Sequence, residues 1–254
     1  MYIFSVSSAA RWRFFDGMEK LFDIIHEDDE LLVINKPAGL VCHPTKNGEM
    51  SSLIGRARLH LGNAAQPHLV NRLDRETSGV VILAKNPGVA GELGKILENR
   101  AMEKEYAAIV HGHVREERGR IDAPLGRDER SLVAVKDCVR PDGAMSQTEF
   151  FVERRFLRAE GKFSWLRILP RTGRKHQIRI HLAHIGHAIV GDKLYGGDED
   201  LYLALVEDRL TPEQRARLIF ENHALHARSL KFLWRDQPVE FSCEPELRFT
   251  EFIR

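Results

Sequence analysis

Apolar residues gather along this chain in short runs bounded by turn formers, a pattern of strands with a few helices between them. Leu31-Leu32-Val33-Ile34 runs into Asn35-Lys36-Pro37-Ala38-Gly39, which predicts a strand followed by a turn. The acidic stretch Glu27-Asp28-Asp29-Glu30 just before it reads as a solvated turn. Val80 to Ala84 is a continuous apolar run, a buried strand. Lys104 to His111 alternates, with Tyr106, Ala108 and Val110 on one face. Phe150 to Val152, Ser164 to Leu169, Leu230 to Phe232 and Pro238 to Phe241 predict further strands.

Helical spacing appears in two places. Asn86-Pro87 supplies an N-cap with proline at the first helical position, and Leu93, Ile96 and Leu97 share one face, so the spacing predicts a helix over 87–99. Thr211-Pro212-Glu213-Gln214 is a capping box that opens a second helix, about Pro212 to Phe220. Strands mixed with a few helices, without strict β-α-β alternation, predict an α+β fold with a largely antiparallel sheet. No linker is visible, so one domain is expected.

Composition narrows the function classes. The chain has 254 residues, 43% apolar and 30% charged, ordinary for a globular protein able to build its own core. Its 38 basic and 37 acidic residues leave a net charge of +1, so attraction to a polyanion must come from a local patch. Cys42, Cys138 and Cys243 are odd in number and far apart, which argues against a disulfide framework or a cysteine zinc site and for a reducing cytoplasm. No signal peptide and no membrane-length apolar run is apparent. Nothing reads as an oligomer seam, so a monomer is expected.

Two charged segments stand out. Residues 70–79 read Val-Asn-Arg-Leu-Asp-Arg-Glu-Thr-Ser-Gly, placing Asp74 between Arg72 and Arg75 ahead of a buried strand. Nearby cations hold a carboxylate ionised, yet alone this stretch reads as a solvated turn with weak surface ion pairs. Residues 171–187 carry Arg171, Arg174, Lys175, Arg179 and four histidines with no acid, the densest positive patch in the chain and suited to phosphate. Its alternation at 177–182 is strand-like. A helix from about Lys175 to Ile185 fits better, with Thr172 able to cap the start, Gly186 to end it, and Lys175, Arg179 and Leu182 along one face. Arg179 would then point inward and need an anionic partner, for which Asp74 is the natural candidate. Histidine spacing at 176, 181, 184 and 187 invites a metal. Without an interleaved carboxylate, and with arginines that repel a cation, no metal site is assigned, and His176 reads better as a phosphate or backbone contact.

Taken in order, these pieces resemble the RluA family of pseudouridine synthases. The resemblance rests on Asn71-Arg72-Leu73-Asp74-Arg75-Glu76-Thr77-Ser78-Gly79, on Lys104-Glu105-Tyr106, on Arg171-Thr172-Gly173-Arg174-Lys175-His176-Gln177-Ile178-Arg179, and on Gly191-Asp192-Lys193-Leu194-Tyr195-Gly196. Leu32 to Leu40 is similar to the opening motif and Leu225-His226-Ala227 to the closing segment, so order and spacing agree from about Met18 to Arg254. The resemblance implies a catalytic domain at 18–254 on a mixed, mostly antiparallel sheet with a central cleft. It implies isomerisation of uridine to pseudouridine in RNA, tRNA or large-subunit rRNA, without cofactor or metal. It makes Asp74 the catalytic carboxylate, Tyr106 the aromatic residue beneath the target base, Arg179 the partner of Asp74, and Arg72 the residue that fills the space of a flipped base. Asn71, Arg171, Arg174, Lys175 and His176 join Arg72 as expected RNA contacts.

The family usually has histidine where this chain has Asn71, which leaves loop support and target preference open. It also keeps a second reading in view, an RNA-binding factor whose chemistry is dispensable. Residues 1–17 are expected to form an extension too short for an S4-type RNA-binding domain, so substrate choice would rest on the catalytic domain and loops such as Arg56 to Gln66.

Overall fold

The structure, a computed structural model, describes residues 21–44, 49–62 and 64–254; the extension expected at 1–17 lies outside them. Twelve strands and six α-helices are found among the described residues. In chain order they are β1 (Asp23–Glu27), β2 (Leu31–Lys36), α1 (Leu53–Leu61), β3 (His68–Leu69), β4 (Ser78–Ala84), α2 (Pro87–Glu98), β5 (Glu103–His111), β6 (Arg118–Asp122), β7 (Leu125–Arg127), β8 (Asp137–Val139), β9 (Gln147–Arg158), β10 (Gly161–Pro170), α3 (Gln177–His184), α4 (Asp200–Val206), α5 (Pro212–Leu218), β11 (Leu225–Trp234), β12 (Gln237–Ser242) and α6 (Leu247–Phe252). The main sheet runs β1-β2-β4-β11-β5-β10-β9-β6, with β12 on β11 and β3 on β4; β7 and β8 form a separate ribbon. Every pairing is antiparallel except β4 with β11, where His226 faces Ser78 and Ala227 faces Gly79.

Central placement explains why β4 is a continuous apolar run. It lies between β2 and β11, and both of its faces are covered. Val81 and Leu83 pack with Leu53, Ala57 and Leu61 of α1. Val80, Ile82 and Ala84 pack with Val89 and Leu93 of α2. Each fully buried leucine or isoleucine here contributes about 1.5–3 kcal/mol. The other half of the sheet builds its own core from Phe163, Leu166 and Ile168 of β10, Ile178 and Leu182 of α3, and Phe249 of α6. Tyr106 packs against both this core and that of the first half, so it marks the seam.

The caps follow the sequence chemistry. Asn86 caps α2, accepting from Val89 N at 3.0 Å, and Thr211 with Gln214 forms the reciprocal box of α5. α5 ends at Leu218, two residues short of the expected end. The turn expected at Glu27–Glu30 begins one residue later, because Glu27 closes β1. α3 is a helix, as its apolar face requires, but it starts at Gln177 and leaves Lys175 outside. Thr172 does not cap it; its hydroxyl donates to Gln177 Oε1 at 2.7 Å, and that oxygen accepts Arg174 N at 3.1 Å. Gly186, at φ +82°, closes α3 as expected, with its N–H on Ala183 O and His187 N on Leu182 O.

The parallel junction leaves no room at Gly79. A Cβ there would lie 2.2 Å from Ala227 O, and φ is +117°. Gly79→Ala is therefore expected to cost about 3 kcal/mol or more, read as a lower urea midpoint. Gly94→Ala, in open space on α2, is expected to add about 0.5–1 kcal/mol. Equal effects at the two positions would show that the junction is not tight.

Candidate active site

The loop 71–77 is pinned from several sides before it reaches Asp74. Asn71 is buried and braces β4, donating to Val80 O at 3.1 Å and accepting from Ile82 N at 2.8 Å. Both amide atoms thus bond to the backbone of β4. Leu73 is buried, its N–H toward Cys42 Sγ at 3.5 Å. The carbonyl of Arg75 receives Gly39 N at 2.9 Å and Lys36 Nζ at 3.1 Å. Lys36 also donates to Pro37 O and Leu40 O, both at 2.8 Å. Burial lowers this ammonium to about 8.

Asp74 lies on the line of charges this loop presents to α3. Arg179 Nη1 donates to Asp74 Oδ2 at 3.0 Å. On its other side the same guanidinium forks onto Asp192, Nε to Oδ2 at 2.7 Å and Nη2 to Oδ1 at 2.9 Å. Asp192 Oδ1 also accepts Leu194 N at 2.9 Å and Tyr195 N at 3.0 Å. Tyr195 lies beneath Arg179, 5.0 Å from ring centroid to guanidinium carbon. Side-chain exposure falls from 29% at Asp74 to 9% at Arg179 and 1% at Asp192, so only the first carboxylate is open for chemistry. Burial alone would raise Asp74, but the charges of Arg179 and then His176 outweigh it and hold the carboxyl below its usual range. Asp192 is depressed in the same way, burial being overcome by Arg179 and its hydrogen bonds.

A second buried polar group supports the loop from behind. Lys193 Nζ sits 2.9 Å from both Glu76 oxygens and 2.6 Å from Glu221 O. His223 Nε2 is 2.7 Å from Thr77 Oγ1, and its backbone N–H reaches Glu76 Oε2 at 3.1 Å. Burial first, and the Arg179 charge second, push His223 down to about 3, so its ring is neutral. Asp192, Lys193, Glu76 and His223 were not expected as site residues. The Gly191 to Gly196 motif carried a signal for two of them.

The remaining expected residues separate by environment. Tyr106, on β5, is pushed up by burial and by the Asp74 charge, so its hydroxyl stays protonated. That hydroxyl makes no hydrogen bond to a described residue, and it is not sealed from solvent. Arg72 is exposed and makes no hydrogen bond or ion pair among the described residues. Arg174 is exposed with its guanidinium likewise unpaired. Arg171 pairs with Glu149 at 2.6 Å and Lys175 with Asp137 at 3.0 Å, both at the surface. His176 lies 3.8 Å from Asp74 Oδ2 and 2.9 Å from the Tyr195 hydroxyl, so it faces the carboxylate. His181 is buried between Thr148 Oγ1 and Ala123 O, at 2.8 and 2.9 Å, and His187 meets His111 O at 2.9 Å. These histidines do not converge.

Known proteins resemble this chain in sequence and in fold. A family model described as RNA pseudouridylate synthase matches residues 30–184. An uncharacterized RNA pseudouridine synthase of Bacillus subtilis, YhcT, is 37% identical over 182 residues, 70% of this chain and 59% of that protein, so the match spans about three fifths of that relative's length. The dual-specificity RNA pseudouridine synthase RluA of Vibrio parahaemolyticus is 37% identical over 83% of this chain and 77% of its own. The solved structure of human RNA pseudouridylate synthase domain containing 1 superimposes with a TM-score of 0.70 at 26% identity, covering 91% of this chain and 86% of that one.

Acid should destabilise the fold in two windows. His223 titrates at about 3 when folded and near 6.5 when unfolded, so its stabilisation is complete above about 6.5 and is lost as the pH falls. Asp74 and Asp192 are depressed when folded, so their contribution is complete above about 3.9 and is lost only below that. Urea titrations should show stability falling by about 2–3 kcal/mol between pH 7 and 4, and His223→Gln should make this slope shallower. A slope unchanged in that variant would remove His223 as the group responsible.

Proposed function

The chain belongs to the RluA family of RNA pseudouridine synthases, and on that premise we propose that it isomerises uridine to pseudouridine within a short structured element of tRNA or large-subunit rRNA. The observation that carries this reading is the half-exposed, ionised Asp74 gripped by a buried Arg179, with the unbonded Tyr106 hydroxyl on the same seam. The reaction exchanges the N1–C1′ bond of uridine for a C5–C1′ bond; C5 gives up its proton and N1 of the turned ring carries one. It consumes no oxidant, reductant or second substrate.

Asp74 is the group that attacks the ring or sugar, or removes a proton from the sugar; both roles require it charged and aimed. Arg179 supplies both conditions through its contact with Asp74 Oδ2. Tyr106 supplies an aromatic surface for an extruded uracil and a protonated hydroxyl beside it. Extruding a stacked base costs a few kcal/mol, and the exposed, unpaired Arg72 is placed on the same loop to fill the vacated space. Arg174, with Arg171 and Lys175 once freed from their surface partners, meets the phosphates. The unit that does this is residues 18–254, acting as a monomer in the cytoplasm. No helix among the described residues is long and apolar enough to cross a membrane. The reading of a binding factor without chemistry rested on Asn71, which braces β4 and leaves Asp74 intact, so no observation favours it.

Mapping pseudouridine in total RNA from a deletion strain, before and after incubation with the protein, tests the proposal and names the target. Wild type should restore at least one mark. Asp74→Asn, which keeps the Arg179–Asp192 fork, should lose about a thousandfold or more in rate while the protein still folds and its RNA affinity changes little. Turnover retained in that variant would remove Asp74 from the reaction.

A further inference from the structure

A second opening lies beside the site, at the start of β5. It is a pocket of about 330 Å³ lined by Arg100, Met102, Glu103, Lys104, Arg171 and Gly173 among others. Lys104 is the group that needs an explanation. It is half-buried, and it makes no hydrogen bond or ion pair with any described residue. Burial lowers this ammonium below its ordinary value, and Glu103, the carboxylate on the pocket wall, makes no ion pair with it. The buried lysines elsewhere in this protein are compensated: Lys36 by three carbonyls and Lys193 by Glu76 and Glu221 O. A partly desolvated ammonium without a partner is costly unless an anion arrives from outside.

Three further observations bear on what that anion is. Lys104 and Tyr106 are two residues apart on one strand, so their side chains leave the same face about 7 Å apart. Arg171 reaches the pocket from the end of β10, and Gly173 leaves space above Lys104, its Cβ position lying 3.7 Å from Nζ. Arg100 follows the last turn of α2 at φ +57°, with Arg100 N on Leu97 O and Ala101 N on Ile96 O. That is the left-handed closing position where glycine is the favoured residue. An arginine there strains the backbone and places a cation on the rim.

We propose that this pocket is a subsite for a backbone phosphate of the RNA strand that flanks the extruded uridine, with Lys104 as its central contact and Arg100 and Arg171 on the rim. This rests on the reading of the protein as an RNA-modifying enzyme. The subsite fixes the strand at a set distance from Tyr106, so it acts on substrate binding and register, and it takes no part in the bond exchange.

The test is binding of unfractionated bacterial tRNA and of large-subunit rRNA fragments, by filter retention between 50 and 300 mM salt, in an Asp74→Asn background that removes turnover. Lys104→Gln should weaken binding about five- to tenfold at 0.1 M salt and reduce the log–log salt slope by about 0.7–1. Arg100→Gly should raise the Tm by about 2–4 °C by relieving the left-handed arginine, and yet weaken RNA binding. A purely structural residue would not give that opposite pair of changes. Lys162→Gln, an exposed lysine at the far end of β10, should change neither. Unchanged affinity and slope in Lys104→Gln, or no RNA binding by the parent protein, would overturn the subsite. If the slope falls but the wild-type enzyme marks no RNA, the subsite stands and the catalytic reading fails.

Discussion

The structure depends on one arginine held between two carboxylates. Arg179 is buried, and leaving such a cation unpaired costs about 3–5 kcal/mol. Asp192 removes most of that cost with a forked pair closed at 2.7 and 2.9 Å. The guanidinium has one further nitrogen, and it is aimed at Asp74. Asp192 is sealed and serves structure; Asp74 is open to solvent. The same cation thus contributes stability on one side and poises a carboxylate on the other.

The fold brings these three residues together from distant parts of the chain. Asp74 precedes β4, Arg179 lies in α3, and Asp192 follows α3 in the segment that leads toward β11. The one parallel pairing, β4 against β11, is the reason they meet. Gly79 permits that close approach, and around it Glu76, Thr77, Lys193 and His223 join the two chain segments by buried hydrogen bonds. Lys36 and Gly39 clamp the other side of the Asp74 loop through the Arg75 carbonyl. The loop is therefore held by over-determination, which fixes the direction of the Asp74 carboxylate.

Much of this was legible in the chain. Strong apolar runs announced β2, β4 and β10, because their burial on both faces leaves a continuous signal. Asn86 and Thr211 announced α2 and α5, because capping chemistry is local. An inward Arg179 paired with Asp74 followed from the apolar face of α3. The short strands β1, β3, β6, β7 and β8 and helices α1, α4 and α6 were not read. Their residues are held by tertiary pairing more than by their own pattern; β6 contains Arg118, Gly119 and Arg120 and is held by pairing with Gln147 to Phe151 of β9. Asp192 as the second anchor was hidden for the same reason, since sequence places it thirteen residues from Arg179 with no local periodicity to join them. That Asn71 braces the backbone of β4 was likewise out of reach, since only the positions of Val80 and Ile82 reveal it.

The central claim is that Asp74 waits in the resting enzyme as a carboxylate, held charged by the Arg179–Asp192 pair. Infrared titration of protein carrying ¹³C-labelled aspartate, read as wild type minus Asp74→Asn, isolates this one group. The account predicts a carboxylate band that persists through pH 5 and gives way to the acid band only below the ordinary aspartate value of about 3.9. An Asp74 that carries its proton at pH 5 or above would contradict it.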